Sequence, residues 1–435
     1  MTDLFAGRLS LIGTENAFKV GEDIKRVEER GDTVIKLNLG EPDFDSPVNI
    51  NDVAIANITK GNSHYTDPQG LPSFRESIAR HLEETRGSAI DPDCIVVTSG
   101  GKPPIGYSLL SYVNPGDEVI YPTPGFPIYE SWIKFSQGTP KPFKLRESKK
   151  FSFDLEDVAG LISRKTKLFI LNSPSNPTGG IVSREELDAL AALLLGKAHP
   201  DFRILSDEVY DHILFDGHTH QSIISSPGMQ EHTILINSHS KTYAMTGWRV
   251  GYAVLPSREE AQVFKRWNIN TYSCTPPFIQ MAAQQALDDE VNRTIVADMV
   301  AEFERRRNVI VKAINEIDGF HCIWPSGAFY AFPNIAKACE KLGIIEFCRN
   351  RASSDSTFPA PSTVFQLFAL YHHGVATLDR GAFGTIGSEG QHFIRVSLAS
   401  DLDTLQAGVD GLEAAASDEE GARDFMLNTL PSLLG

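Results

Sequence analysis

Long apolar runs, basic tracts and regularly spaced cysteines are all missing from this sequence. No uninterrupted apolar segment is long enough to cross a bilayer, so a transmembrane anchor is not expected. Met1-Thr-Asp-Leu-Phe is not a basic segment leading into an apolar one, so no signal peptide is read there and a cytoplasmic protein is expected. The five cysteines (Cys94, Cys274, Cys322, Cys339, Cys348) are odd in number, scattered and without metal-type spacing. Reduced thiols are therefore expected, with neither a disulfide framework nor a bound metal. Positive charge is in the minority: 40 Lys and Arg against 56 Asp and Glu give a net charge of -16. That balance argues against nucleic acid or an anionic membrane as the main partner. There is no Walker loop and no GxGxxG, so a nucleotide is not indicated. Internal repeats and low-complexity tails are absent as well.

What remains is a soluble-type composition, 41% hydrophobic and 22% charged, in a 435-residue chain too long for one core. Two or three domains are expected. Between about residues 90 and 255, short apolar strands alternate with helical patterns, which predicts an α/β fold on a mainly parallel sheet. Residues 19–31 read as an amphipathic helix followed by a strand at Val34, Ile35 and Leu37. A long helix is predicted over 291–316, strands at 327–332 and 393–398, and an exposed loop over the Ser/Thr/Pro stretch 352–363.

The chemistry-bearing residues gather where those strands end. Thr233-Ile-Leu-Ile leads into Asn237-Ser238-His-Ser240-Lys241, with Arg249 eight residues after the lysine. A lysine among small hydroxyls and near a guanidinium suits a nucleophilic amine beside a phosphate, and equally a polar surface turn. Cys94-Ile-Val-Val-Thr-Ser runs into Gly100-Gly101-Lys102 and a helix opened by Pro103 and Pro104. Such a turn aims backbone N–H groups at an anion, or simply connects strand to helix. Lys167-Leu-Phe-Ile-Leu-Asn172 ends in Ser-Pro-Ser-Asn176-Pro-Thr-Gly-Gly, and Phe202-Arg-Ile-Leu-Ser206 delivers Asp207, Glu208 and Tyr210. Asp207 reads as a site carboxylate or half of a structural ion pair. Phe126, in a proline-fixed loop, suits stacking on a planar ring or plain core packing. Gly40 permits a close backbone approach or a tight turn. Tyr65 sits in a loop, and Arg395 in an apolar strand calls for an anion. In an open α/β sheet, ligands bind at the carboxyl ends of the strands. The convergence of four such ends argues for one site.

These residues resemble the class I/II aminotransferases around aspartate aminotransferase, fold-type-I enzymes that use pyridoxal 5'-phosphate. The resemblance runs through NLGEPDF, HYTDPQGLPSFRESIA, TSGGK, NPTGG, SDEVY, SHSKTYAMTGWRVGYA and FIRVSLA, in family order and over nearly the whole chain. It implies a large domain over 49–310 with a mainly parallel mixed sheet between helices. Residues 1–48 and 311–435 would build a smaller α/β domain. It implies that Lys241 forms a Schiff base with the cofactor and shuttles the proton, and that Asp207 pairs with the pyridinium nitrogen. Tyr210 and Asn176 would hydrogen-bond the ring's phenolic oxygen. Gly100, Gly101, Lys102, Ser238, Ser240 and Arg249 would bind the phosphate, and Phe126 would stack on the ring. Tyr65 would reach the phosphate of a neighbouring subunit, implying a homodimer. Arg395 and Gly40 would contact the substrate α-carboxylate. The implied reaction moves an amino group from an L-amino acid to a 2-oxo acid by ping-pong kinetics. A lyase, decarboxylase or cyclising enzyme on the same fold is the alternative, and a non-catalytic cofactor-binding regulator a further one. Pro103-Pro104 and the Leu378–Gly384 segment depart from common family patterns. Arg380 there would read a substrate side-chain carboxylate or pair with Asp379 at the surface. Glu15 and Asn16 occupy a region where relatives meet the substrate side chain.

Overall fold

The computed structural model describes residues 4–13, 16–353 and 357–434. Its centre is an eight-stranded sheet formed by β1 (Ile95–Thr98), β2 (Glu118–Thr123), β3 (Thr139–Arg146), β4 (Ser152–Phe153), β5 (Thr166–Asn172), β6 (Arg203–Asp207), β7 (Thr233–Ser238) and β8 (Gly251–Val254). Their spatial order is β1-β8-β7-β6-β5-β2-β3-β4. Strands β3, β2, β5, β6 and β7 are mutually parallel. β8 lies antiparallel to both β7 and β1, and β4 antiparallel to β3. Because β8 opposes both its neighbours, β1 points the same way as β7. The carboxyl ends of β1, β2, β5, β6 and β7 thus share one edge of the sheet.

The near-continuous apolar composition of these strands follows from burial on both faces. Every residue of β1 and β7 is buried, as are all of β6 after Arg203. Helices cover the sheet, and their ends are chemically marked. Helix Arg184–Lys197 opens with a capping box between Ser183 and Glu186. Helix Lys102–Tyr112 carries Pro103 and Pro104 in its first turn, where no intrahelical N–H is needed.

A second core gathers Phe303, Ile310, Phe329, Tyr330, Phe365 and Phe368. The predicted long helix is helix Val291–Glu316. The strand predicted over 327–332 is reduced to Tyr330–Ala331, because Ala328 takes a left-handed φ of 56° and Pro333 follows. Tyr330–Ala331 and Leu378–Asp379 flank Ile394–Ser397 in a small antiparallel sheet. Near the other terminus, helix Asn16–Glu29 leads to strand Ile35–Lys36, which pairs in parallel with Val375–Ala376. The loop expected over 352–363 is shorter. Pro361 starts helix Pro361–His373, and Ser362 is fully buried; residues 354–356 fall outside the described set. Among the described residues, no helix is long and apolar enough to cross a membrane.

Candidate active site

At the shared edge of carboxyl ends lies a cavity of about 490 Å³. Its wall takes Gly101 and Lys102 from the turn after β1, Phe126 from the loop after β2, and Asn176 from beyond β5. It adds Asp207 and Tyr210 from β6 and the turn after it, and Ser238, Ser240, Lys241 and Arg249 from β7 and the loop after it. Gly40 and Arg395 close it from the N-terminal segment and the small sheet. Gly100 stands just behind the wall with a φ of 84°. A Cβ there would lie 2.3 Å from the Arg249 Nη2, so glycine is what lets that guanidinium approach. Tyr65 also stands outside the cavity wall and is 88% exposed to solvent.

Asp207 is buried at the end of β6. Tyr129, in the first turn of helix Ile128–Phe135, donates its O–H to Asp207 Oδ2 at 2.5 Å. Oδ1 has no hydrogen-bond partner. Burial pushes this carboxyl up to about 6, against the downward pull of Tyr129 and the Val209 backbone. The Asn172 amide donates to the Asp207 carbonyl at 3.0 Å and accepts from the Asn176 backbone N–H at 2.9 Å, which ties the ends of β5 and β6 together. The Tyr210 hydroxyl lies 2.8 Å from that of Tyr330. Burial first, and Tyr330 second, raise the Tyr210 phenol well above its ordinary value, so it stays protonated at neutral pH.

Lys241 sits in a four-residue helix whose N-cap is Ser238. Its Nζ donates to the Gly40 carbonyl at 2.5 Å. The hydroxyls of Ser238 and Ser240 lie 2.7 Å apart. Across the cavity, Arg395 is buried yet meets no carboxylate within ion-pair distance among the described residues. Its Nη2 donates to the Asn38 carbonyl at 2.6 Å and its Nη1 to Asn176 Oδ1 at 3.1 Å, while Nε has no partner. The rings of Tyr330 and Phe383 flank the guanidinium at 4.4 and 5.2 Å. A buried, unpaired cation of this kind is costly unless an anion arrives.

Arg380 takes neither of the two positions expected for it. It is 1% exposed and outside the cavity wall, so it neither reads a substrate nor pairs with Asp379 at the surface. Its Nη2 donates to Thr123 Oγ1 at 2.7 Å, Nη1 to the Gly384 carbonyl at 2.9 Å and Nε to Gln391 at 2.7 Å. Asp379 instead accepts from the Gly381 and Ala382 backbone, capping the next turn. Burial draws the guanidinium down to about 10. Glu15 lies outside the described residues, and Asn16 opens the first α-helix.

Behind the site is an ion network that sequence reading did not anticipate. The Arg86 guanidinium meets Glu208 at 3.0 Å and Asp211 at 2.5 Å, all three side chains at most 3% exposed. Burial alone would raise Glu208; His220 and Arg86 hold it down at about 2. Tyr129, Asn38 and Tyr330 were also missed as site residues. Nothing local marks them: each becomes a site residue through a contact with a distant part of the chain.

A family model described as aminotransferase class I and II matches residues 32–412. The chain belongs to the class I and II aminotransferases. It is 33% identical over 413 residues to an aspartate/prephenate aminotransferase of Nitrosomonas europaea, covering 94% of this chain and 99% of that protein. It is 36% identical over 393 residues to an asparagine–oxo-acid transaminase of Streptococcus mutans, covering 90% and 93%. Among solved structures, an aspartate aminotransferase from Rhizobium meliloti superposes with a TM-score of 0.85 at 31% identity, over 95% of this chain and 98% of that one. As in these neighbours, the fold is type I, a mainly parallel mixed sheet between helices, and this aminotransferase's cavity lies at its carboxyl edge.

Pyridoxal phosphate fits the residues present. The partnerless Asp207 Oδ1 suits a protonated ring nitrogen. The first turn of helix Lys102–Tyr112 suits a phosphate, with two hydroxyls and Arg249 alongside. Pro103 and Pro104 lack N–H groups, so the early donors of that helix narrow to Gly101 and Lys102.

Proposed function

We propose that this aminotransferase binds pyridoxal phosphate at Lys241 and moves an amino group from an L-amino acid to a 2-oxo acid by ping-pong kinetics. The observation that carries this reading is the single cavity shared by the buried, half-unpartnered Asp207, the amine of Lys241 and the carboxylate-free Arg395. When bound, the cofactor supplies an electron sink for the pair released as the substrate's α-proton leaves.

The protein residues do the rest. Asp207 holds a proton on the ring nitrogen through charge, oriented by Tyr129. Tyr210 and Asn176 hydrogen-bond the ring's phenolic oxygen, and Phe126 packs on the ring face. Gly100, Gly101, Lys102, Ser238, Ser240 and Arg249 hold the phosphate. Arg395 takes the substrate α-carboxylate with its Nε and Nη groups, next to the Gly40 backbone. Lys241 Nζ removes the proton from the substrate α-carbon and returns it one position along, as base and then acid.

The cavity lining also includes the apolar residues Leu39, Ile105, Leu378 and Phe383. With Arg380 turned away, the lining holds, among the described residues, no third arginine beside Arg249 and Arg395 to read a distal carboxylate. Relatives named for aspartate, prephenate and asparagine support an amino-acid donor without fixing which one. The N-terminal segment pairs with residues 375–376, which supports a small unit built from 1–48 and 311–435 beside a large one at 49–310. The boundary at 310 falls inside helix Val291–Glu316. A homodimer is supported by exposed apolar side chains near Tyr65 in sequence: Val48, Ile55 and Ile58 on helix Val48–Thr59. It would place Tyr65 at the partner's phosphate.

The test is a spectral titration of the purified protein with a panel of L-amino acids. The visible band of lysine-bound cofactor should convert to that of the aminated cofactor, with one 2-oxo acid released per site. Ammonia, pyruvate or CO2 released instead of stoichiometric amino transfer would mean a lyase or decarboxylase. Lys241→Ala should abolish turnover and yield no borohydride-reducible adduct; an adduct at normal yield would remove Lys241 from its role.

A further inference from the structure

Outside the active site, three metal-type donors converge from two elements. His81 lies on helix Pro72–Arg86, and Asp211 and His212 follow Tyr210 in the turn after β6. The His81 and His212 Nε2 atoms are 3.4 Å apart, with ring centroids at 5.4 Å and planes inclined by 34°. His212 Nε2 is 3.8 Å from Asp211 Oδ2, and one donor atom from each residue falls within 4.8 Å of the other two.

Bond geometry fits an ion at this point. Zinc–imidazole bonds of about 2.05 Å to two nitrogens 3.4 Å apart enclose an angle of about 112°, close to tetrahedral. Donors on one tetrahedral ion of this kind stand about 3.4 Å apart, so closing the trio needs a shift of up to about 1.4 Å from the 4.8 Å bound. The Asp211 oxygen 3.8 Å from His212 Nε2 is Oδ2, so the carboxylate would have to turn to offer its other oxygen. Asp211 Oδ2 accepts from Arg86 at 2.5 Å and Asn237 at 2.8 Å, whereas the buried Oδ1 has no partner. The electrostatics are compatible with a cation: the two carboxylates Glu208 and Asp211 share Arg86, and His220 stands 2.8 Å from Glu208. Access is open, since the His212 side chain is 31% exposed.

We propose that His81, His212 and Asp211 form a site for a divalent transition-metal ion of the zinc type, with water as the fourth ligand. The ion would clamp helix Pro72–Arg86 to the turn after β6, which follows Asp207 and carries Tyr210 into the active site. It lies outside the cofactor cavity and is independent of the reaction assigned there.

The test uses the purified full chain with its cofactor bound, stripped of adventitious metal with EDTA and dialysed. Titration with Co2+ alone should give the visible d–d bands of a tetrahedral complex at one ion per chain. Zn2+ should displace the Co2+ and raise the unfolding temperature, by ~5 °C at 100 times its Kd. His81→Gln and His212→Asn should each remove the bands and the thermal shift while leaving circular dichroism and the cofactor spectrum unchanged. Absence of stoichiometric binding to the wild-type chain would overturn the site. So would a tetrahedral Co2+ spectrum that survives in either variant, which would assign the ion to other ligands such as the cysteines.

Discussion

At the residue scale, Asp207 shows how burial and function oppose each other. Before the cofactor binds, its carboxyl titrates near 6 rather than at the ordinary 3.8. The fold therefore holds that proton more tightly than the unfolded chain does. The associated stability is present below pH ~4 and lost as pH rises through 6, a shift of about 2 pKa units or roughly 3 kcal/mol. Asp207→Asn removes the penalty of ionisation. Its apoprotein should be more stable than the wild-type apoprotein at pH 8 by up to about 3 kcal/mol and equal to it near pH 4, as measured by urea unfolding. The same variant should retain cofactor poorly and turn over at least ~100-fold more slowly, because the ring nitrogen loses its counter-charge. Lys241, Asp207 and Arg395 line one cavity, as the convergence of strand ends led one to expect. The residues alone left Lys241 and Asp207 open, and their roles rest on the family resemblance. Tyr129, which orients Asp207, was not legible in the sequence: a tyrosine at a helix start looks like core until it lies next to a carboxylate 78 residues away.

The elements were legible to within a few residues, and their misreadings have local causes. The run 327–332 has strand composition, but the left-handed Ala328 and Pro333 confine pairing to two residues. Pro361 was read as loop chemistry, yet proline in the first turn is how a helix starts. Gly40 suits close approach to a ligand or a tight turn by sequence; in the structure its Cβ would stand 2.3 Å from the Tyr330 hydroxyl, a protein group. Tyr330 is packed against Tyr210 and cannot simply swing aside. Gly40→Ala should thus destabilise the protein by ~1–3 kcal/mol in denaturant melts. It should also raise KM for the amino acid more than it lowers kcat, since the displaced groups surround Arg395. The 380–386 segment straps the small sheet's neighbourhood to the large sheet: Arg380 bonds Thr123, while Thr385 bonds Glu130 through its backbone N–H at 3.0 Å and its hydroxyl at 2.8 Å. Arg380→Met leaves several of these acceptors unsatisfied and should cost about 2–4 kcal/mol of stability. The ratio of kcat/KM values for acidic and neutral amino acids should stay the same, which kinetic comparison of the two substrates checks.

For the whole molecule, the sequence disclosed the fold class, while the union of residues 1–48 with 311–435 was expected from the family resemblance alone. Helix and strand patterns are local; the joining of residues 35–36 to 375–376 is not. Subunit pairing belongs to this scale too. If the apolar face of helix Val48–Thr59 meets a second copy, the double variant Ile55→Asp, Ile58→Asp should sediment as a monomer and lose cofactor affinity at least ~10-fold. Tyr65→Phe should keep the dimer and weaken only the phosphate. Light scattering and cofactor titration separate the two effects.

The two bonds that orient Arg395 reach across 357 and 219 residues, to Asn38 and Asn176. A ribosome that has completed the sheet has made the cradle for a cofactor but nothing that can grasp an amino acid. The grip is delivered by the last strand among the described residues, Ile394–Ser397, so shortened or stalled products should take up pyridoxal phosphate and remain inert toward metabolites. Contacts of such separation also slow folding, and Arg395 is oriented only once the strand that carries it has met both Asn38 and Asn176.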